Sequence, residues 1–184
     1  MLASASPRRA QILRNLGLRF RVRAADLDES LAPGEDAAAA AERLARSKAL
    51  VVAAAESLPV LAADTLVVCD GRCLGKPTSR EEAAAMLRTL AGREHEVVTG
   101  VCVVADGVAR SGLERSSVRF APMSEEEIAR YVASGEPMDK AGAYHIDGRG
   151  AAYVVSVTGS PSNVAGLPAR LAARLLAEAG LPPS

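Results

Sequence analysis

The 184-residue chain sets 22 lysines and arginines against 22 aspartates and glutamates, and 49% of it is hydrophobic, enough for one well-packed domain or two intimately joined lobes rather than a disordered chain. Zero formal net charge, two phenylalanines, three tyrosines and no tryptophan exclude a general nucleic-acid surface and a base-stacking platform. A local phosphate site stays open. The stretch "LASASPRRAQIL" predicts the first helix, with Ser6 as N-cap, Pro7 at the first helical position, and Ile12, Leu13 and Leu16 as its apolar face. Gly17 stops it, and Phe20, Val22 and Ala24 then alternate as a strand. Arg8 and Arg9 fall in the first turn, beside unpaired backbone N–H groups, where the helix dipole disfavours positive charge. An anion held there would offset that cost; the simpler alternative is a pair of arginines pointing into solvent.

"LDESLAPGED" reads as a loop, after which Asp36 caps a long alanine-rich helix containing "AERLARSKALVVAAA". "VLAADTLVVCDG" is a buried strand closed by an Asp70-Gly71 turn, with "RCLGKP" returning beside it. "SREEAAAMLRTLAG" is a helix with Ser79 and Glu82 in capping-box positions and Gly92 as its stop; strands follow around an Asp106-Gly107 turn. A second capping box, Ser124 with Glu127, opens "SEEEIARYVASG". After the glycine-rich "DKAGAYHIDGRG" come the strand-like "AAYVVSVTG" and a last helix behind Pro168. Helices and strands mix throughout, with no internal repeat and no Pro/Gly/Ser-rich linker. The expected fold is α/β with a mixed or largely antiparallel sheet, two lobes around a central cleft, and a single domain over 1–184.

Three cysteines without paired C-x-x-C motifs and only two histidines argue for a reducing, cytoplasmic setting and against a structural zinc. No stretch reaches the roughly 18 apolar residues of a membrane span, and no signal-peptide core is visible, so neither a membrane nor nucleic acid is expected as a partner.

Asp64 is the focus of the chemistry. Aspartate is depleted in strands, and an unpaired carboxylate inside "VLAADTLVV" would be costly to bury. A two-residue hairpin at Asp70-Gly71 projects Thr65 opposite Lys76, which would bring that lysine beside Asp64; a purely structural Asp–Lys pair is the competing reading. Lys48 lies between Leu44 and Val52 on the border of its helix's apolar stripe, aimed either at a cleft or, as a snorkelling lysine, at water. "GRCLGKP" is one residue short of phosphate-binding-loop spacing and has Pro77 where a metal-binding Ser or Thr should stand. No G-x-S-x-G elbow and no triad context for His95 or His145 is present.

Taken together, "LASASPRR", "AADTLV", "LGKP" and "DKAGAYHIDGRG" resemble, in order and across nearly the full length, the motifs of the Maf family of nucleoside triphosphate pyrophosphatases. The resemblance implies an elongated α/β fold shaped like the inosine triphosphate pyrophosphatases and hydrolysis of a nucleoside triphosphate to monophosphate and pyrophosphate. It also implies a divalent cation, magnesium or manganese, and a homodimer. By motif, Asp64 is the expected general base. Ser4, Arg8, Arg9, Lys48 and Lys76 would hold the triphosphate, and Arg9, Thr65 and Asp147 would influence base choice. Asp64 would also ligate the metal, with Asp28 or Glu29 as a second oxygen ligand. "DKAGAY" is similar to the branch acting on dTTP and UTP, yet that branch continues Gly-Ile-Gln-Gly where this chain has His145-Ile146-Asp147-Gly148. Gln donates and accepts, whereas ionised Asp only accepts. The family also resembles proteins linked to inhibition of septum formation, which gives a second hypothesis, a nucleotide-binding regulator with little turnover. A pure binder, however, has no need of a carboxylate beside its phosphate-binding cations.

Overall fold

Each of the first four helices begins where a side-chain oxygen takes up unpaired N–H groups. In the computed structural model, which describes residues 1–32 and 34–182, α1 (Pro7–Asn15) starts behind Ser6, whose hydroxyl accepts from the Arg9 N–H at 3.4 Å. The Asp36 carboxylate accepts from Ala38 and Ala39 at 3.0 and 3.1 Å to open α2 (Ala37–Ala53). At α3 (Arg80–Leu90) the Ser79 hydroxyl takes the Glu82 N–H, but the Glu82 carboxylate turns to the N–H and hydroxyl of Thr78, so only half of the expected capping box forms. Both halves form between Ser124 and Glu127 at α4 (Glu125–Ala133). The short α5 (Pro161–Val164) and α6 (Ala169–Glu178) complete the set, α6 behind Pro168 as expected.

Five strands, β1 (Val60–Cys69), β2 (Arg72–Leu74), β3 (Glu94–Ala105), β4 (Val108–Phe120) and β5 (Val154–Thr158), form one sheet in the order β2-β1-β3-β4-β5. Pairing is antiparallel between β1 and β2 and between β4 and β5. Asp70-Gly71 and Asp106-Gly107 take positive φ at both positions (49° and 73°; 51° and 74°), the backbone a two-residue hairpin turn requires. The β1/β2 register, with Cys69 opposite Arg72 and Val67 opposite Leu74, is the one the turn predicts. It ends there, however. The Gly75 carbonyl accepts instead from the Gly142 N–H at 3.0 Å and Pro77 has no N–H to give, so the projected Thr65–Lys76 pair lies outside the ladder.

Two expected strands are shorter than the alternation suggests. Around Phe20–Ala24 only Val22 forms a bridge, to Leu2, with N–H···O contacts of 2.8 and 3.0 Å to Arg21 and Arg23. A single residue is available because Ala3 already bonds Leu61 and the chain then turns into α1. "AAYVVSVTG" yields β5 only from Val154, since Arg149–Tyr153 is wound into a 3-10 turn.

The chain folds as two compact units. The first comprises Met1–Thr65, Thr99–Glu114 and the residues from Gly166 onward. Its core joins Ala45, Ala49 and Val52 of α2 to Val60, Ala62, Cys102 and Val104 of the sheet. There α2 lies so close to β3 that a Cβ on Gly100 would come within 2.3 Å of the Ala41 carbonyl oxygen. The second unit comprises Leu66–Val98 and Arg115–Ala165 and packs Leu87 and Leu90 of α3 and Ile128 of α4 against Val97, Val118 and Phe120. Among the described residues no helix is long and apolar enough to cross a membrane. The three cysteines are free, and burial pushes the Cys102 thiol up to about 11.

Inside the second core, the His95 ring stands edge-on to Phe120 and Tyr144, centroids 5.1 and 5.4 Å away, and its Nε2 shares a 2.9 Å hydrogen bond with the Tyr144 hydroxyl. His95 is 3% exposed, and burial pulls its pKa from 6.5 to about 4, against a weaker opposing pull from Glu94. Below pH 6.5 the unfolded chain therefore takes up a proton that the native chain refuses. Stability falls with pH from about 6.5 toward about 4, by up to roughly 2 kcal/mol on reaching pH 5. Urea titrations of wild type and His95→Gln between pH 7 and pH 5 check this: the variant's stability should depend less steeply on pH by close to one proton.

Candidate active site

In the first unit the N-terminal motif is threaded beside β1. The Leu61 carbonyl accepts the Ala3 N–H at 2.8 Å, which brings Ser4, buried at 9% exposure, onto the edge of the motif. The Ser4 hydroxyl accepts from the Ser6 N–H at 3.2 Å and from Arg9 Nη1 at 3.1 Å. Arg9 does not point into solvent. Its Nε donates to the Gly166 carbonyl at 2.8 Å and its Nη2 to the Thr65 hydroxyl at 3.1 Å. Burial lowers the guanidinium's pKa, with Asp64 and Glu29 opposing that from a distance. Three bonds to neutral acceptors leave further donors on the fork for an anion or a carbonyl oxygen. The two arginines of the first turn thus part: Arg9 is engaged inward, and Arg8 is half-buried.

The cation that meets Asp64 is Lys48. Its ammonium donates to Asp64 Oδ1 at 2.6 Å and lies 2.8 Å from Glu29 Oε2. Lys48 is 6% and Asp64 5% exposed, and Ala45, Ala49, Leu44 and Val52 are buried on the same helix face, so the snorkelling-lysine alternative is set aside. Two carboxylates, buried Asp64 and exposed Glu29, converge on one positive group, and carboxylate oxygens are the donors a hard divalent cation takes. Asp28 is not part of this convergence: its Oδ1 accepts from the N–H and hydroxyl of Ser30, at 2.9 and 2.5 Å, and these bonds hold its carboxyl below the usual range. Among the described residues no group of three or more His, Cys, Asp or Glu gathers as a metal cage.

Lys76 and Asp147 belong to the second unit, and both are exposed. Burial would push the Asp139 carboxyl up, but Lys140 and, at longer reach, Lys76 hold it down, which ties the lysine turn electrically to the glycine-rich motif. The Gly142–Gly75 bond ties the two by backbone. Asp147 sits in the turn before Arg149, and Glu136 organises that turn: its Oε1 accepts from the Tyr131 hydroxyl at 2.8 Å and the Gly150 N–H at 3.1 Å, its Oε2 from the Arg149 N–H at 3.1 Å. Gly148 leaves room for it, since a Cβ there would lie 2.6 Å from the carboxylate.

Sequence reasoning missed Thr99, Gly166 and Glu136. Thr99 is fully buried, with its Oγ1 3.0 Å from Thr65 Oγ1, and the only signal for it was a hydroxyl inside the apolar run "EVVTGVCVV". Gly166 takes φ +100°, a conformation that L side chains rarely adopt.

The chain shares 51% identity with the dTTP/UTP pyrophosphatase of Anaeromyxobacter sp. (strain Fw109-5), over 99% of this chain and 90% of that protein. It is 50% identical to the dTTP/UTP pyrophosphatase of Myxococcus xanthus, over 99% and 93% respectively. A solved nucleoside-triphosphatase / dITP/XTP pyrophosphatase from Mycobacterium abscessus overlaps 66% of this chain and 74% of its own at 16% identity, with a TM-score of 0.40, too slight a likeness to bear on the fold. The model of the Maf-like protein family matches residues 1–179, and the chain belongs to that family.

Proposed function

We propose that this chain is a nucleoside triphosphate pyrophosphatase of the dTTP/UTP class, releasing monophosphate and pyrophosphate. The observation that carries the reading is the buried Asp64 with Lys48 on it and Arg9 nearby, in a chain about half identical to dTTP/UTP pyrophosphatases over their length. A triphosphate brings about four negative charges, and cleavage at the α-phosphorus adds charge to the departing pyrophosphate. Arg8, Arg9 and Lys48 of the first unit answer that demand, with Ser4 fixing one arm of Arg9, and Lys76 is assigned to phosphate on its motif alone. Asp64 orients and deprotonates the attacking water. Asp64 and Glu29 are the residues that would hold a divalent metal, which when bound supplies charge neutralisation at the phosphates. The whole of 1–184 acts as one Maf-like domain in this reading.

The regulator alternative is disfavoured: a carboxylate buried beside phosphate-binding cations weakens anion binding and earns its place only in turnover. Incubation of a nucleotide panel with magnesium or manganese, with products identified by chromatography, decides the matter. Monophosphate plus pyrophosphate supports the proposal; diphosphate plus phosphate, or no turnover, overturns it.

Base choice is where this chain should depart from its branch. An ionised Asp147 can accept the base N3–H but faces a carbonyl oxygen with no donor. Selectivity for dTTP and UTP should therefore be weakened and CTP admitted, because an amino group satisfies the aspartate. Asp147→Gln is expected to shift the dTTP-to-CTP ratio of kcat/KM toward dTTP, by roughly 1–3 kcal/mol where bound substrate keeps water from the contact. An unchanged ratio across dTTP, UTP, CTP and the purine triphosphates would show that Asp147 does not read the base.

A further inference from the structure

We propose that Thr99 is a positioning residue for substrate, acting through the Thr65 hydroxyl on the Arg9 guanidinium; this rests on the reading of the site given above. Thr99 stands in β3 between Val98 and Gly100 with no exposed surface, in a run of buried apolar residues where valine has the same outline without the hydroxyl. A hydroxyl there costs desolvation unless it is bonded. Its Oγ1 lies 3.0 Å from Thr65 Oγ1.

The Thr65 oxygen already accepts from Arg9 Nη2 at 3.1 Å and has one proton of its own to place. That proton goes either to Thr99 or to the Gly166 carbonyl at 3.3 Å. In the first case Thr99 is the acceptor that fixes the Thr65 rotor. In the second, Thr99 donates to Thr65 and the Gly166 carbonyl collects both Thr65 and Arg9 Nε. Both arrangements give Thr65 a hydrogen-bond partner besides Arg9. The lone pair that Nη2 uses then keeps one direction, and the Arg9 fork is held at three points, Ser4, Gly166 and Thr65. Without the Thr99 hydroxyl the Thr65 oxygen keeps one further partner, the Gly166 carbonyl at 3.3 Å, and the acceptor it offers Arg9 Nη2 is held less firmly. Charge at the site does not change, so the loss should fall on how well substrate is oriented.

Thr99→Val removes the hydroxyl at constant shape, and Thr99→Ser restores it. Expected is a fall of about tenfold in kcat/KM for dTTP in Thr99→Val, carried mainly by KM, with a narrower dTTP-to-purine ratio, a still cooperative unfolding transition, and recovery to within about twofold in Thr99→Ser. Affinity for the non-hydrolysable α,β-imido analogue of dTTP, measured by calorimetry, should follow the same order. Wild-type kinetics and affinity in Thr99→Val, or equal impairment in both variants, overturn the proposal, the second outcome marking a packing effect. If wild type binds the analogue but releases no pyrophosphate, the pyrophosphatase reading falls, while the affinity comparison still decides the role of Thr99.

Discussion

Asp64→Asn is expected to lower turnover by at least about a hundredfold while the protein remains folded, the scale at which a positioned general base contributes. The substitution keeps the shape of a side chain that is 5% exposed, and the amide oxygen can still accept from Lys48, whose second partner, Glu29 at 2.8 Å, is untouched. What disappears is a negative charge and a proton acceptor. Nucleotide affinity measured without metal should survive, since on the proposed reading the removal of a carboxylate beside the phosphate-binding cations relieves repulsion. The measurement is pyrophosphate release under saturating dTTP, with binding followed separately by calorimetry. Turnover close to wild type would take Asp64 out of the catalytic role and leave it as the structural partner of a buried lysine.

Gly100→Ala should cost about 3 kcal/mol or more of folding stability, at the top of the range for overpacking. The atoms that a Cβ would meet are all backbone: the Ala41 carbonyl oxygen at 2.3 Å, its carbon at 2.5 Å and the Glu42 Cα at 2.7 Å. No rotamer change can make room, so α2 must move off the sheet, and Lys48 moves with it. The midpoint of denaturant unfolding, at unchanged slope, reads the effect. Gly75→Ala is the control, with nothing within 4 Å of the added Cβ and an expected change under about 0.5 kcal/mol. Equal stability of the two variants would mean that α2 and β3 tolerate a wider spacing.

The helix starts were legible because capping is settled within a few residues, as at Ser6, Asp36 and Ser124. The hairpins were legible because Asp-Gly tolerates positive φ. Asp64 stood out since a carboxylate in an apolar strand demands a partner; which cation answers depended on how α2 docks, and the local register pointed to Lys76 instead of Lys48. Alternation at Phe20–Ala24 suggested a strand, but a strand needs a neighbour of matching length, and Leu2 offers one residue. Thr99 and Gly166 escaped notice for the same reason: their partners, Thr65 and Arg9, lie 34 and 157 residues away in the chain.

Lys48 stands where two carboxylates, Asp64 and Glu29, converge. With its ammonium between buried Asp64 and exposed Glu29, Lys48 offsets one of two negative charges, so a lone anion arriving there would meet repulsion and a lone cation would compete with the lysine for both carboxylates. In the reading proposed above the site would act as an ion exchanger, since whatever displaces Lys48 must relieve two carboxylates and also receive the freed ammonium. On the proposed reading a metal–nucleotide complex does both in one molecule. In that reading Asp64 would compete with the departing pyrophosphate for the Lys48 ammonium, a competitor built into the chain.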